Sequence, residues 1–406
     1  MNEPPKRADP DHDLSARLVE AGRHGVPHTP VANTPVYRAS TILFDSIEQT
    51  QKIGPRTVTG ERHATSYATV GTSTTFALMD ALAEIEGRGH DTRAALAPSG
   101  LAAITTALLA FLKPGDHLLM SDAVYGPARV FANGLLASMG VKTTFFAPQS
   151  SLQDLDQLAQ SNTKVLFLES PGSYTLELHD TPALCAWARS KSIVSMVDNT
   201  WATPVFARPF DWGVDISLMA LTKYWSGHSD VLMGGMVIRT ELWPTLWSTV
   251  RQLGQCVGGD DAFLILRGLR TAEVRMRQHE RSALQIAQWL KLQAQVKTVL
   301  HPGLSDHPQH GFWKRDFLGA SGLFSFELQP GTSFAHVCAL CNDRQHFGIG
   351  YSWGGFESLI MAAQLSHVRT IKPWTGGPLI RLNIGLEDPA TLIADLETGF
   401  LRAFPR

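Results

Sequence analysis

The sequence predicts an α/β fold in which a mainly parallel sheet carries the chemistry and a smaller α+β domain follows it. Three observations lead there. From about residue 72 to 269, short and uniformly apolar runs alternate with amphipathic ones. Strands that are apolar on both faces belong to sheets covered by helices on both sides. Beyond about 270, the long amphipathic stretch "RTAEVRMRQHERSALQIAQWLKLQ" begins a different pattern. Finally, 406 residues exceed what one core usually serves, so two domains or more are expected.

Residues 1–71 hold many Pro, Thr and Gly with little sustained periodicity, and are read as an extended N-terminal arm. "TTFALMDALAEIEGR" then reads as a helix and "RAALAP" as a strand ending at "SG". The helix "LAAITTALLAFLKPG" stops at Pro-Gly. Strand "HLLMSD", helix "ARVFANGLLASMG", strand "KTTFFAP", helix "SLQDLDQLAQ" and strand "KVLFLES" continue the alternation. Helix "TPALCAWARSK" and the strands "SIVSMVDNT", "DISLMALTK" and "GGMVIRT" complete a large domain over 72–269. The strand "LFSFELQ" and a C-terminal helix place an α+β domain over 270–406.

Charged residues make up 18%, below the ~25% of typical soluble proteins, and the net charge is −2. This favours extensive burial, including subunit interfaces, and opposes an electrostatic nucleic-acid binder. The polar start lacks the apolar core of a signal peptide, and no stretch approaches the ~20 apolar residues of a membrane span. A cytoplasmic protein with no membrane or nucleic-acid partner is therefore expected. Four cysteines are no disulfide framework. Cys338 and Cys341 form a C-x-x-C without a second pair, in a stretch that reads as a helix, so they are read as core thiols.

In an open parallel sheet, ligands sit beyond the carboxyl ends of the strands. Four such ends carry unusual residues. Ser99-Gly100 closes one strand and opens a helix, where free N–H groups would hold a phosphate. Taken singly, an ordinary strand–helix turn explains it better. Tyr125 lies just past a second strand, where its ring would stack on a planar ligand. Asp198 follows an entirely apolar run and needs a partner there, either a loop amide or arginine or a protonated ring nitrogen. Thr222 and Lys223 end the run "DISLMALTK", and Lys223 is the only lysine between Lys191 and Lys291. A strand-end lysine can simply snorkel its ammonium to water. Held in a drier place, the same amine has a lowered pKa and attacks a carbonyl. Phosphate cradle, stacking ring, carboxylate and amine are together what a protein needs to bind pyridoxal 5′-phosphate as a Schiff base.

The ordered stretches "LVEAGR", "LFDS", "LFLESPGS", "VDNTWA", "TKYWSGHSD", "RGLRT", "FWKRDF", "SGLFSFEL", "YSWGGFESL" and "LIRLNIGLED" carry a resemblance. From about Leu14 onward the chain resembles the Cys/Met-metabolism family of pyridoxal-phosphate enzymes, which have the aspartate-aminotransferase fold (PLP-dependent transferase fold type I). "YSWGGFES" and "ESPGS" are similar to its cystathionine β-lyase branch. The resemblance implies that Lys223 bonds the cofactor aldehyde, that Gly100, Leu101 and Thr222 hold its phosphate, that Tyr125 stacks on its ring and that Asp198 pairs with its nitrogen. Arg381 matches the clamp for the substrate α-carboxylate, where a guanidinium fork binds bidentately; by itself it also reads as a strand-capping ion pair. Ser352 and Trp353 would line the substrate pocket. Tyr67 would act across a subunit interface, making the chain at least a dimer and implying a homotetramer. Tyr125 and Tyr67 would assist as acid or base, since a phenol beside a cationic ring ionises more readily. The implied reaction is β-elimination from cystathionine to homocysteine, pyruvate and ammonia. Broader cysteine-S-conjugate lyase or desulfhydrase activity and γ-lyase or γ-synthase activity are the alternatives.

One departure from the family pattern stands out. The family usually has an arginine two residues after the arm tyrosine, reaching the neighbouring subunit's phosphate; here "TSYATVGTSTT" has Thr69, then Val70. Arg62, His63 or the Thr69 hydroxyl would have to replace it. The departure also leaves room for a non-catalytic member of the family. "GYSWG", residues 350–354, matches the G-x-S-x-G elbow of serine hydrolases, but only His367 follows Ser352, with Glu357 the one acid between them. His301, His307 and His310 are too irregularly spaced for a metal site and read as part of a solvated loop.

Overall fold

Seven strands form the large sheet: β1 (Thr92–Ala97), β2 (His117–Ser121), β3 (Lys142–Phe146), β4 (Thr163–Glu169), β5 (Val194–Asp198), β6 (Ile216–Ala220) and β7 (Gly234–Arg239). They are seen in a computed structural model that describes residues 14–23, 31–365 and 368–405. The strand order is β1-β7-β6-β5-β4-β2-β3. β3 to β6 and β2 run parallel, and β7 lies antiparallel between β6 and β1. Successive side chains point to opposite faces of a strand. Accordingly Leu119, Leu166, Val197 and Met219 enter one buried cluster while Leu118, Phe167, Met196 and Leu218 enter the other. Both faces are dry, so the runs show no apolar–polar alternation.

The second domain holds a sheet of five strands, β8 (Val296–Leu300), β9 (Leu323–Leu328), β10 (Phe347–Gly348), β11 (Ser358–Ala362) and β12 (Leu379–Asn383), in the order β10-β11-β12-β9-β8. Phe324, Phe326, Ile380 and Leu382 pack there with helices Ala272–Leu290 and Pro389–Ala403. β12, in the middle, carries Arg381.

Two expectations fail here. The stretch read as an extended arm contains the helix Ile47–Val58, N-capped by Ser46, whose hydroxyl accepts from the Gln49 N–H at 3.3 Å. Gly54 and Pro55 hid it: Pro55 lies inside the helix and removes one rung of its ladder. Tertiary bonds hold its end: Trp247 Nε1 donates to Thr57 O at 2.9 Å, and Trp243 Nε1 to Gly60 O at 3.3 Å. The histidine loop is not solvated either. His301 and His307 are buried, and burial lowers them to about 3 and about 4. Each ring instead stays neutral and accepts a local N–H, His301 from Gly303 and His307 from Gln309. Cys338 and Cys341 lie on the helix Phe334–Cys341 and are free thiols. Among the described residues no helix is long and apolar enough to cross a membrane.

Candidate active site

Past the end of β6 the backbone folds into a tight turn, with Lys223 N–H donating to Ala220 O at 3.1 Å. This aims the side chain across the carboxyl ends of the strands toward the second domain. There Nζ donates to Ser352 Oγ at 2.6 Å and lies 5.3 Å from the Trp353 ring centre. Burial, reinforced by the Arg381 cation and opposed by Asp198, lowers Lys223 to about 8. The amine is therefore not snorkelling; it is held where its neutral form is accessible.

Asp198 ends β5 beside it. Its Oδ1 accepts from Thr200 N at 2.9 Å and Thr200 Oγ1 at 2.5 Å, and Thr200 Oγ1 in turn accepts the Ala220 N–H at 2.8 Å. Burial raises Asp198, against those bonds and the nearby Lys223. A cationic ring nitrogen against this carboxylate would reverse that shift. In the sheet register Glu169, the last residue of β4, sits opposite Asp198. Its Oε2 accepts the Tyr125 N–H at 2.6 Å, and burial next to Asp198 raises its pKa well above the ordinary value. Tyr125 heads the helix Gly126–Phe131. Burial and then the carboxyls of Glu169 and Asp198 push its phenol up.

The helix Gly100–Phe111 starts at the same edge, where Ser99 Oγ accepts the Ala102 N–H at 3.1 Å. The amides of Gly100 and Leu101 precede any intrahelical partner. A Cβ on Gly100 would stand 2.6 Å from Ala220 Cβ, so glycine is what lets this helix start approach the strand bearing the lysine. Thr222 Oγ1 accepts Met233 N–H at 3.0 Å, closing the turn on the other side.

Arg381 reaches in from β12. Its Nη2 alone bonds the carbonyls of Gly350, Tyr351 and Ser352, at 3.2, 3.0 and 3.2 Å. Among the described residues its other N–H groups carry no hydrogen bond, and Tyr174 lies beneath the guanidinium, 5.6 Å to the ring centre. Both bidentate edges of a guanidinium include Nη2, so this arginine clamps a carboxylate with two bonds only if Nη2 gives up one of those carbonyls. Gly354, at φ +83°, lets the 350–354 turn pass over the lysine: a Cβ there would lie 2.9 Å from Tyr224 N and 3.1 Å from Lys223 Cβ.

Lys223, Asp198, Arg381, Ser352 and Trp353 are thus brought together, with Tyr125 and the Gly100–Leu101 amides at the same strand ends. Tyr67 is not joined to them. It pairs by its backbone with Thr41, and its ring is half exposed. Thr69 is exposed and Val70 packs against the core. Arg62 and His63, named as substitutes for the missing arginine, both turn to Asp80, at 3.4 and 2.5 Å. The hydrolase elbow is absent: 350–354 leads to strand β11 rather than a helix, Ser352 meets a lysine, and Glu357 bonds Ser229 at 2.6 Å. His367 lies outside the described residues. Glu169, Tyr174 and Gly354 were not singled out from the sequence. Glu169 had the same signal as Asp198, an acid closing an apolar run.

A family model described as "Cys/Met metabolism PLP-dependent enzyme" matches residues 15–401. The chain belongs to that family. Pyridoxal 5′-phosphate is its cofactor, and the buried acid, the depressed amine and the glycine-floored helix start fit that group. The Cystathionine beta-lyase MetC of Escherichia coli (strain K12) is 42% identical over 97% of this chain and 99% of its own. The L-alanine/L-glutamate racemase of Wolbachia pipientis wMel is 40% identical over 95% of this chain and 96% of its own. Among solved structures, cystathionine gamma synthase from Xanthomonas oryzae pv. oryzae, in complex with aminoacrylate and cysteine, superposes with a TM-score of 0.85 at 32% identity, covering 96% of this chain and 98% of that one.

Proposed function

We propose that this chain is a carbon–sulfur β-lyase that cleaves cystathionine to homocysteine, pyruvate and ammonia, with water consumed in the last step. The observation that carries the reading is the Lys223 amine, pKa lowered to about 8, held on Ser352 between Asp198 and Arg381. When bound, the cofactor supplies an aldehyde and an electron sink for the charge left as a proton leaves the substrate's α-carbon. Asp198 keeps the ring nitrogen protonated, which strengthens that sink. The Gly100 and Leu101 amides, with Thr222, hold the phosphate, and Tyr125 covers the ring. Arg381 binds the substrate α-carboxylate, its Nη2 exchanging a carbonyl of the 350–352 turn for a carboxylate oxygen, which sets the α-C–H bond toward Lys223. Ser352 Oγ orients Nζ, which takes the α-proton. The departing sulfur needs a proton, and the neutral Tyr125 phenol or the Lys223 ammonium supplies it. Tyr67 is assigned across a homodimer interface, with dimers pairing into a cytoplasmic tetramer.

The similarity to the E. coli enzyme supports β-elimination over γ-chemistry. A second reading, amino-acid racemisation, is favoured by the likeness to the Wolbachia racemase and shares the α-proton removal. Incubation with cystathionine, cystine, S-alkyl cysteines and L-alanine separates them. Pyruvate with homocysteine is expected; 2-oxobutyrate would replace the reading with γ-elimination, and D-alanine without pyruvate would replace it with racemisation.

A further inference from the structure

Asp122 lies outside every role assigned above, yet it is fully buried, at 0% exposure, three residues before Tyr125. Its carboxylate collects five donors. Arg129 Nη1 donates to Oδ1 at 2.9 Å, as do the Thr370 N–H at 3.1 Å and the Thr370 hydroxyl at 3.3 Å. The Ile371 and Lys372 N–H groups donate to Oδ2 at 3.1 and 3.2 Å. Arg129, four residues after Tyr125, is buried as well, its guanidinium 3.7 Å from the centre of the Phe145 ring, and it donates to the Thr370 hydroxyl. Residue 370 thus grips the chain on both sides of the stacking tyrosine, and it comes from the segment between β11 and β12, in the other domain.

The same segment is anchored a second time. Arg369, also buried, donates to Thr175 Oγ1 and Glu177 Oε2, in the loop that presents Tyr174 to Arg381. The two gripped loops also touch each other, Ser173 N–H donating to Ala123 O at 2.7 Å. A turn that needed only to be stable would not require a buried carboxylate and a buried guanidinium, whose desolvation is costly. What such a pair provides is one fixed geometry, and a ring displaced by about 1 Å can cost ~10²-fold in rate.

We propose that Asp122, Arg129 and Thr370 form an interdomain clasp that sets the Tyr125 ring over the cofactor, making Asp122 and Thr370 positioning residues for the reaction. The proposal rests on the reading of Tyr125 as the stacking residue. Two measurements on holoenzyme at 25 °C test it: the visible circular dichroism of the bound cofactor, which follows the setting of its ring, and kcat/KM on whichever amino acid the wild type turns over. Asp122→Asn is expected to change the dichroism and to lower kcat/KM tenfold or more, mostly in kcat. Because Asp122→Asn leaves Arg129 buried without its counter-charge and can fail to fold, Thr370→Val, which removes a hydroxyl and no charge, is expected to shift both readouts the same way. Thr370→Ser, which restores the hydroxyl, is expected to match the wild type. A Thr370→Val holoenzyme with unchanged dichroism and kcat/KM within twofold of wild type overturns the proposal, even if its unfolding temperature falls. The dichroism needs only bound cofactor, so the substrate reading can fail without touching this result.

Discussion

Lys223 owes its lowered pKa to its surroundings: burial and the Arg381 cation favour the neutral amine more than Asp198 opposes it. Capture of pyridoxal phosphate by the cofactor-free protein should accelerate with rising pH and level off above about 8, against the ordinary lysine value of 10.5. Stopped-flow absorbance checks this, and a rate still climbing steeply at pH 10 would contradict it. Lys223→Ala should abolish turnover and leave no cofactor on the 223 peptide after borohydride reduction, read by peptide mass spectrometry. Glu86 offers a second titration. Fully buried, it accepts from Asn199 Nδ2 at 2.9 Å and from the Ser217 hydroxyl, and burial raises it to about 7. Between about 4.5 and about 7 the unfolded chain then binds fewer protons at this group than the folded one, so its contribution to stability falls as pH rises. The stability of Glu86→Gln relative to wild type should therefore improve with pH across that window, measured by urea unfolding; a pH-independent difference would reject it.

At the scale of elements, the strand ends were legible because a charged residue closing a dry run is conspicuous: Asp198 after "SIVSMV" and Lys223 after "DISLMALT". The helix Ile47–Val58 was not, since Gly54 and Pro55 interrupt its pattern and its end is held by bonds from Trp243 and Trp247, more than 180 residues away in sequence. The 350–354 turn was legible as a motif and not as a shape. Its fit over Lys223 depends on Gly354, with φ +83° and no room for a Cβ beside Tyr224 N. Gly354→Ala should cost ~1–3 kcal/mol of stability and, by shifting Ser352 off Nζ, lower kcat more than it raises KM. Thermal unfolding and steady-state kinetics check this, and unchanged kinetics would show that the turn does not position the amine.

In the whole molecule, Tyr67 stands apart from the other residues proposed for the site. Tyr67 is 48% exposed, and the arm around it exposes Leu43 at 90% and Ile47 at 71%. Large apolar side chains so placed suit a subunit interface. If Tyr67 completes the neighbouring subunit's site, inactive Lys223→Ala and Tyr67→Ala chains should complement each other. Co-refolding them in equal amounts forms one native site in each mixed dimer and should restore about a quarter of wild-type turnover. No recovery, with mixed dimers verified by mass, would place Tyr67 in its own chain's site, and a Tyr67→Ala protein as active as wild type would place it outside any.

By itself the sequence determined the layered α/β architecture, the strand ends that face the ligand and the chemical identity of the groups there, because apolar periodicity and residue type are local properties. Only the tertiary structure decided that Ser352 meets Nζ, that Arg381 is pinned through one nitrogen, that Glu169 crowds Asp198 and that residues 369–372 clasp the Tyr125 turn. Those depend on how two sheets far apart along the chain dock against each other, and on the burial that docking creates, which no short window of residues encodes.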